Sequence, residues 1–213
     1  MKNMLDLLHK NGVPLDSDSV FDAAEQFIAL IQEWNKYASL VSVGDAASSL
    51  PDHCIDSWTL LPWIASRAAT RDLQYVDIGS GGGFPAIPIC VALPELKTIL
   101  IERNTKKAVF LRKVTARLNL ENVQIQNDSF DGLPEFAGGT IVTSRAIEKP
   151  LEVIPRILSS LGADDHYLCQ SESIHEALSL SDNDFVVTEL QDVYSGSNRR
   201  RNRLYIVQRS VPA

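Results

Sequence analysis

Between Ser17 and Leu40 the apolar residues Phe21, Ala24, Phe27, Ile28, Ile31 and Trp34 recur at intervals of three and four, with acidic residues near the start of the run. That period predicts an amphipathic α-helix with one face in the core. A second helical stretch is expected from Pro51 to Ile64, with Pro51 suited to a first turn and Pro62 ending or kinking it. Beyond Arg71 the pattern changes. Short apolar runs at 73–78, 97–102, 122–127, 140–144 and 165–170 read as strands, and the segments 85–93, 105–119, 149–160 and 172–180 read as helices between them. Strands separated by helices predict βαβ units around a parallel sheet covered on both faces. The last two strand-like runs, Phe185–Tyr194 and Arg203–Gln208, are joined by SGSN and arginines and predict a hairpin that adds an antiparallel strand. The chain therefore reads as α/β, with seven strands, residues 1–70 forming a helical extension and residues 71–213 the sheet domain.

The first predicted strand runs into YVDIGSGGGFPAIP, residues 75–88. In an open parallel sheet, ligands bind beyond the carboxyl ends of the strands where the strand order reverses, so this loop marks a candidate site. Its glycines are 79, 81, 82 and 83, and position 84 is phenylalanine, so the three-glycine spacing of a nicotinamide dinucleotide loop is not met. Asp77 bears on the choice as well. A dinucleotide brings a negative pyrophosphate to this turn, whereas S-adenosylmethionine brings an amino group and a sulfonium, both cationic. Glu102 closes the second strand, where either ligand class presents ribose hydroxyls to a carboxylate. Pro85 and Pro88 suit the first turn of the next helix, where a missing N–H costs little. Phe84 lies at the mouth of the site or packs in the core.

Composition narrows the classes. Hydrophobic residues make up 45% and charged residues 22% of 213, ordinary values for a globular chain with a real core. No apolar run approaches the ~20 residues a membrane helix needs. MKNMLDLLHKNG has acids and amides where a signal peptide has its apolar core, so a cytoplasmic protein is expected. Three scattered cysteines, Cys54, Cys90 and Cys169, indicate neither a metal site nor a disulfide framework. The net charge of -7 argues against nucleic acid, but its distribution does not. Lys97, Arg103, Lys106, Lys107, Arg112, Lys113 and Arg117 stand against Glu102 alone, and Arg199, Arg200, Arg201, Arg203 and Arg209 have no acid among them. Runs of like charge commonly meet phosphate.

The segments WNKYASLVSVGD (34–45), HCIDSW (53–58), VDIGSGGGFPAIPI (76–89), FLRKV and LNLENV (110–123) and SRA (144–146) resemble the RsmG proteins, also called glucose-inhibited division protein B. That family methylates N7 of a guanine in the 530 loop of 16S ribosomal RNA with S-adenosylmethionine. The resemblance spans most of the chain. It implies a Rossmann-like class I methyltransferase fold, with cofactor contacts at Gly79, Phe84, Glu102, Phe130, Asp131 and Arg145, to which the glycine loop adds Asp77 and Gly81. Arg145, ending the fourth strand, is the candidate catalytic residue. The implied partner is 16S rRNA or the 30S particle, met by a monomer, with no metal and no membrane. The candidate RNA contacts are Asn35, Lys36, Lys106, Lys107, Arg112, Lys113, Arg199, Arg200, Arg201 and Arg203, with Trp34, Tyr37 and Trp58 available to stack on bases or to pack in the core. Ser129, Gln170 and Ser171 stand where the family usually has arginine, lysine and glycine.

Other chemistries find less support. Guanine N7 has a free lone pair, so the lack of an obvious acid–base pair suits its methylation. Methylation of exocyclic amino groups commonly uses [DN]PP[YF] after the fourth strand, where this chain has TSRA. A cytosine C5 mechanism needs a thiolate, and Cys169 in YLCQ reads as buried filler. His53, Asp56 and Ser57 come from one short helix without an oxyanion loop, and so do not make a hydrolase triad; RNA contact or a structural hydrogen bond is expected there. The alternatives are a silent RNA- or ribosome-binding protein that has kept the fold and a methyltransferase acting on a different RNA position, with a nicotinamide oxidoreductase ranking behind both.

Overall fold

In this computed structural model the residues described are 15, 17–44, 49–70, 72–133, 139–145, 147–180, 185–191 and 203–210. Helix α1 (Asp18–Ala38) buries Val20, Phe21, Ala24, Phe27 and Ile31, the stripe its period predicts. It stops at Ser39, whose backbone is left-handed at φ 47°. The Asn35 carboxamide oxygen accepts from the Val41 amide at 2.9 Å, so a side chain pins the chain reversal.

The continuous helix expected over 51–64 is instead two, α2 (Leu50–Trp58) and α3 (Leu61–Ala68), with the break at Thr59 and Leu60. Pro62 lies in the first turn of α3 rather than at a helix end. A proline ring collides with the carbonyl four residues before it, here that of Trp58, so α2 cannot run through it; in a first turn that conflict does not arise.

The remaining elements are β1 (Gln74–Ile78), α4 (Ala86–Ala92), β2 (Lys97–Ile101), α5 (Thr105–Arg117), β3 (Val123–Gln126), β4 (Thr140–Ser144), α6 (Pro150–Ser160), β5 (His166–Cys169), α7 (Ser173–Ser179), β6 (Phe185–Gln191) and β7 (Arg203–Arg209). They form a seven-stranded sheet in the order β3-β2-β1-β4-β5-β7-β6. The first five strands are parallel, and β7 inserts antiparallel between β5 and β6. Strand alternation splits the core in two. Tyr75, Leu100, Ile141, Leu168 and Leu204 face α1, α2, α4 and α5, while Val76, Ile78, Ile99, Val142 and Tyr167 face α6 and α7. The strand order turns back between β1 and β4, which leaves an opening at their carboxyl ends.

Helix α2 is fastened beneath that opening. Trp58 is fully buried, its ring meets Phe21 edge-on at 5.9 Å, and its indole N–H donates to the Pro88 carbonyl in α4 at 2.8 Å. Replacing Trp58 with phenylalanine keeps most of the apolar contact but leaves that carbonyl without this donor. We expect a loss of about 1–3 kcal/mol, read as a lower midpoint in urea unfolding followed by circular dichroism.

Candidate active site

The loop after β1 wraps tightly against its surroundings. Gly83 has φ +92°, and a Cβ there would lie 2.7 Å from Ile87 Cγ1 and 3.1 Å from the Phe27 ring, so only glycine fits. Gly79, at φ +72°, differs: a Cβ would meet nothing within 4 Å, because this backbone faces open space. Gly79 and Ser80 donate their amides to the Ile101 carbonyl at 2.8 and 3.2 Å, tying the loop to the end of β2. Glu102, 5% exposed, accepts from the Gly81 amide at 2.8 Å and the Asn104 amide at 2.7 Å. A carboxylate has about four acceptor positions, so two remain for hydroxyl donors. Asn104 in turn caps α5, accepting from the Lys106 and Lys107 amides.

Asp77 is 1% exposed at the end of β1. Its Oδ1 accepts from the Thr143 hydroxyl at 2.6 Å, and that hydroxyl also meets the Tyr75 phenol at 2.6 Å. Its Oδ2 is buried without a hydrogen-bond partner. Burial pushes the Asp77 carboxyl up from 3.8 to about 7, against the opposing pull of the Thr143 and Ser80 hydroxyls and the Arg145 charge. An incoming cation would restore the ionised form.

Arg145 follows β4, and its side chain is only 8% exposed. Its Nη1 lies 3.3 Å from Asp56 Oδ2, its Nη2 is 2.7 Å from His53 Nδ1, and its guanidinium sits 5.6 Å from the centre of the Phe84 ring. Phe84 also touches His53 and Phe27. Gln170, after β5, reaches Asp56 Oδ1 at 3.4 Å. Gly79, Gly81, Phe84, Glu102, Phe130 and Arg145 all line one cleft of about 650 Å³, together with His53 and the Ser39–Ser42 turn. That volume suits a nucleoside-sized ligand. Phe130 is 7% exposed, with the Arg156 guanidinium 5.9 Å from its ring centre. Asp77 stands behind the cleft lining, and Asp131 is exposed just beyond Phe130. The three thiols are buried, and burial raises them, Cys54 and Cys90 to about 12, so none is a ready thiolate. Among the described residues there is no cluster of His, Cys, Asp and Glu able to hold a metal ion, and no helix long and apolar enough to cross a membrane.

Residues 21–195 match the family described as rRNA small subunit methyltransferase G. The ribosomal RNA small subunit methyltransferase G of Nitrosospira multiformis is 32% identical over 194 residues, 87% of each chain. The Nitrosomonas eutropha protein of the same name is 32% identical over 165 residues, 78% of this chain and 71% of its own. The chain belongs to this family. Solved structures with the same fold include a putative O-methyltransferase from Klebsiella pneumoniae, at TM-score 0.63, 12% identity and 97% of both chains. TomG of Streptomyces achromogenes, an O-methyltransferase in complex with SAM, superimposes at TM-score 0.58 with 13% identity over 96% of both chains. The sheet is thus that of the Rossmann-like class I methyltransferases.

The candidate RNA contacts of this methyltransferase G member are dispersed. Lys107 lines the cleft, and Lys106 and Arg112 are exposed on α5. Lys113 lies over Trp34 at 4.8 Å and pairs with Glu33, and Lys36 lies over the exposed ring of Tyr37 at 4.8 Å. Asn35 holds the turn after α1. Arg203 pairs with Glu189 at 3.3 Å, and Arg199, Arg200 and Arg201 lie outside the described residues. Lys97, counted in the basic cluster, pairs with Asp72 at the amino end of β2, away from the cleft. The cleft also carries Arg103 and Lys149, each paired with a neighbouring acid, and the sequence reading did not single out Lys149, Arg156 or the Ser39–Ser42 turn. Nor did it connect His53 and Asp56 to Arg145. Their three-residue spacing signals a shared helix face, yet nothing local says what that face meets.

A cationic ligand that meets the Asp77 carboxyl would bind in a pH-dependent way. The folded value of that carboxyl lies above the ordinary one, so the stability its neutral form contributes to the free protein is complete below about 3.8 and lost as pH rises through about 7. Affinity for S-adenosylmethionine runs the other way. It should strengthen by about tenfold between pH 6 and pH 8 in calorimetry, because near pH 6 a proton must first leave. Asp77→Asn should flatten that slope.

Proposed function

We propose that this protein transfers a methyl group from S-adenosylmethionine to N7 of a guanine in the 530 loop of 16S rRNA, acting in the cytoplasm as a monomer. The observation that carries the cofactor is the buried, unpartnered Oδ2 of Asp77 beside the open backbone of Gly79. A carboxylate oxygen left dry is costly unless a donor or cation arrives. In this reading Asp77 supplies the negative charge facing the cofactor's cationic end. Glu102 uses its remaining acceptor positions for ribose hydroxyls, and Phe130 gives the adenine a flat apolar contact, with Asp131 beside it. Arg145 supplies positive charge on the opposite wall. S-adenosylmethionine contributes an activated methyl on a positively charged sulfur.

The protein's task is then chiefly alignment. Guanine N7 presents its lone pair without losing a proton, and the cleft accordingly needs no general base. Lys107 and Arg156 in the cleft lining favour approach of phosphate, while Arg103 and Lys149 share their charge with Glu148 and Glu152, and sequence choice is left to contacts with unpaired bases. Membership of the family supports the ribosomal substrate, and supports either free 16S rRNA or the 30S particle as its form.

Incubation with labelled S-adenosylmethionine and either naked 16S rRNA or 30S particles should place label in RNA, at a position where borohydride and aniline treatment cleaves the strand, the signature of an N7-methylated guanine. Label at another nucleotide would revise the substrate. RNA binding without label would favour a silent binding protein, the reading left open by Ser129 and Gln170. Asp77→Ala should weaken S-adenosylhomocysteine binding by about 30-fold or more, roughly 2 kcal/mol, in calorimetry.

A further inference from the structure

Arg145 carries a full charge in a place almost without solvent. A guanidinium cannot shed its proton, so at 8% exposure it requires a counter-charge and acceptors. Both come from α2, about ninety residues earlier in the chain. Asp56 faces Nη1 at 3.3 Å with its own side chain 10% exposed, and His53 faces Nη2 at 2.7 Å. Arginine nitrogens only donate, so His53 Nδ1 accepts, and the neutral ring carries its proton on Nε2.

The two partners are themselves held. His53 and Asp56 lie one turn apart on the same helix face. The Ser57 hydroxyl donates to the His53 carbonyl at 2.7 Å, Trp58 anchors the helix to Pro88, and Gln170 meets the second oxygen of Asp56 at 3.4 Å. The Phe84 ring, packed between Phe27 and His53, covers the guanidinium from the cleft side of the glycine loop. The arginine side chain is thus held on three sides, by Asp56, His53 and Phe84.

We propose that Asp56 and His53 are positioning residues that act through Arg145, so that the helical extension completes the methyltransferase site. This rests on the functional reading above for the cofactor, the substrate and the part Arg145 plays in the cleft. Asp56 neutralises the guanidinium so that it can stay buried at the cleft wall. His53 fixes its rotation by accepting from the second terminal nitrogen. Neither residue needs to touch ligand or RNA, and both matter only while Arg145 is present.

A double-mutant cycle tests this, read on S-adenosylhomocysteine affinity and on initial rates of 16S rRNA methylation. Asp56→Asn keeps the shape and removes the charge. It should lower kcat/KM by about tenfold or more, with kcat falling more than KM for RNA rises. Arg145→Ala should cost at least as much, and the double variant Asp56→Asn with Arg145→Ala should be no worse than Arg145→Ala alone. His53→Gln retains an acceptor and should keep more activity than His53→Leu. Additive penalties in the cycle, or equal losses in the two His53 variants, would overturn the proposal, since a residue that only supports the fold harms the protein whether or not Arg145 is there. If the wild-type protein binds S-adenosylhomocysteine but labels no RNA, the substrate reading falls, and the affinity cycle still decides the positioning roles. A wild-type protein that binds no S-adenosylhomocysteine overturns both.

Discussion

A carboxyl group buried at the end of β1 with one oxygen satisfied and the other dry sets the terms for this molecule. Asp77 and Thr143 are register partners in β1 and β4, and Tyr75 reaches the same hydroxyl from two residues earlier. A one-residue slip between these strands would turn Asp77 to the face that packs Val76, Ile78 and Val142 against α6. The pairing that builds the sheet is therefore the pairing that presents the charge. Burial raises the group to about 7, close to the range in which a bound cation decides whether it is ionised. A fold that leaves such a group unfilled gives up stability at its site, as binding clefts commonly do.

The wall opposite that acid is made by a different part of the chain. The Ser39–Ser42 turn lies against the glycine loop so closely that a Cβ on Gly82 would be 3.0 Å from the Leu40 carbonyl. Helix α2 delivers His53 and Asp56 to Arg145, and Phe27 of α1 packs against Phe84. Arg145 thus lines the cleft and Asp77 lies just behind its lining, held by different neighbours, each desolvated and each fixed by a short hydrogen bond. In a low-dielectric cleft, charges that cannot swing act more strongly on a ligand than the same charges in water.

Much of this was readable beforehand, where the signal is local. The short apolar runs located β1 to β5 within a residue or two, since strands of a parallel sheet covered on both faces read as near-continuous apolar stretches. The glycine cluster marked a tight turn after a strand, and Gly83 meets that demand through contact with Ile87. An arginine ending an apolar strand pointed to the cleft, and Arg145 lines it. The helix expected over 51–64 is two because Pro62 both stops α2 and opens α3, and the local signal shows only the first of these effects. Within the two basic runs, Lys97, Lys113 and Arg203 pair with Asp72, Glu33 and Glu189, acids that composition counts but cannot place.

Order of elements, the switch from helical to strand period near residue 71, and the residue types at each strand end belong to the chain as written, because they depend on neighbours within a few positions. Which side chains share a pocket depends on how strands register and how helices dock, over separations such as 92 residues between His53 and Arg145 or 66 between Asp77 and Thr143. Those pairings are chosen by packing of the whole core, where burying one charge compels the rest of the fold to supply its partner. Local spacing holds no record of that choice.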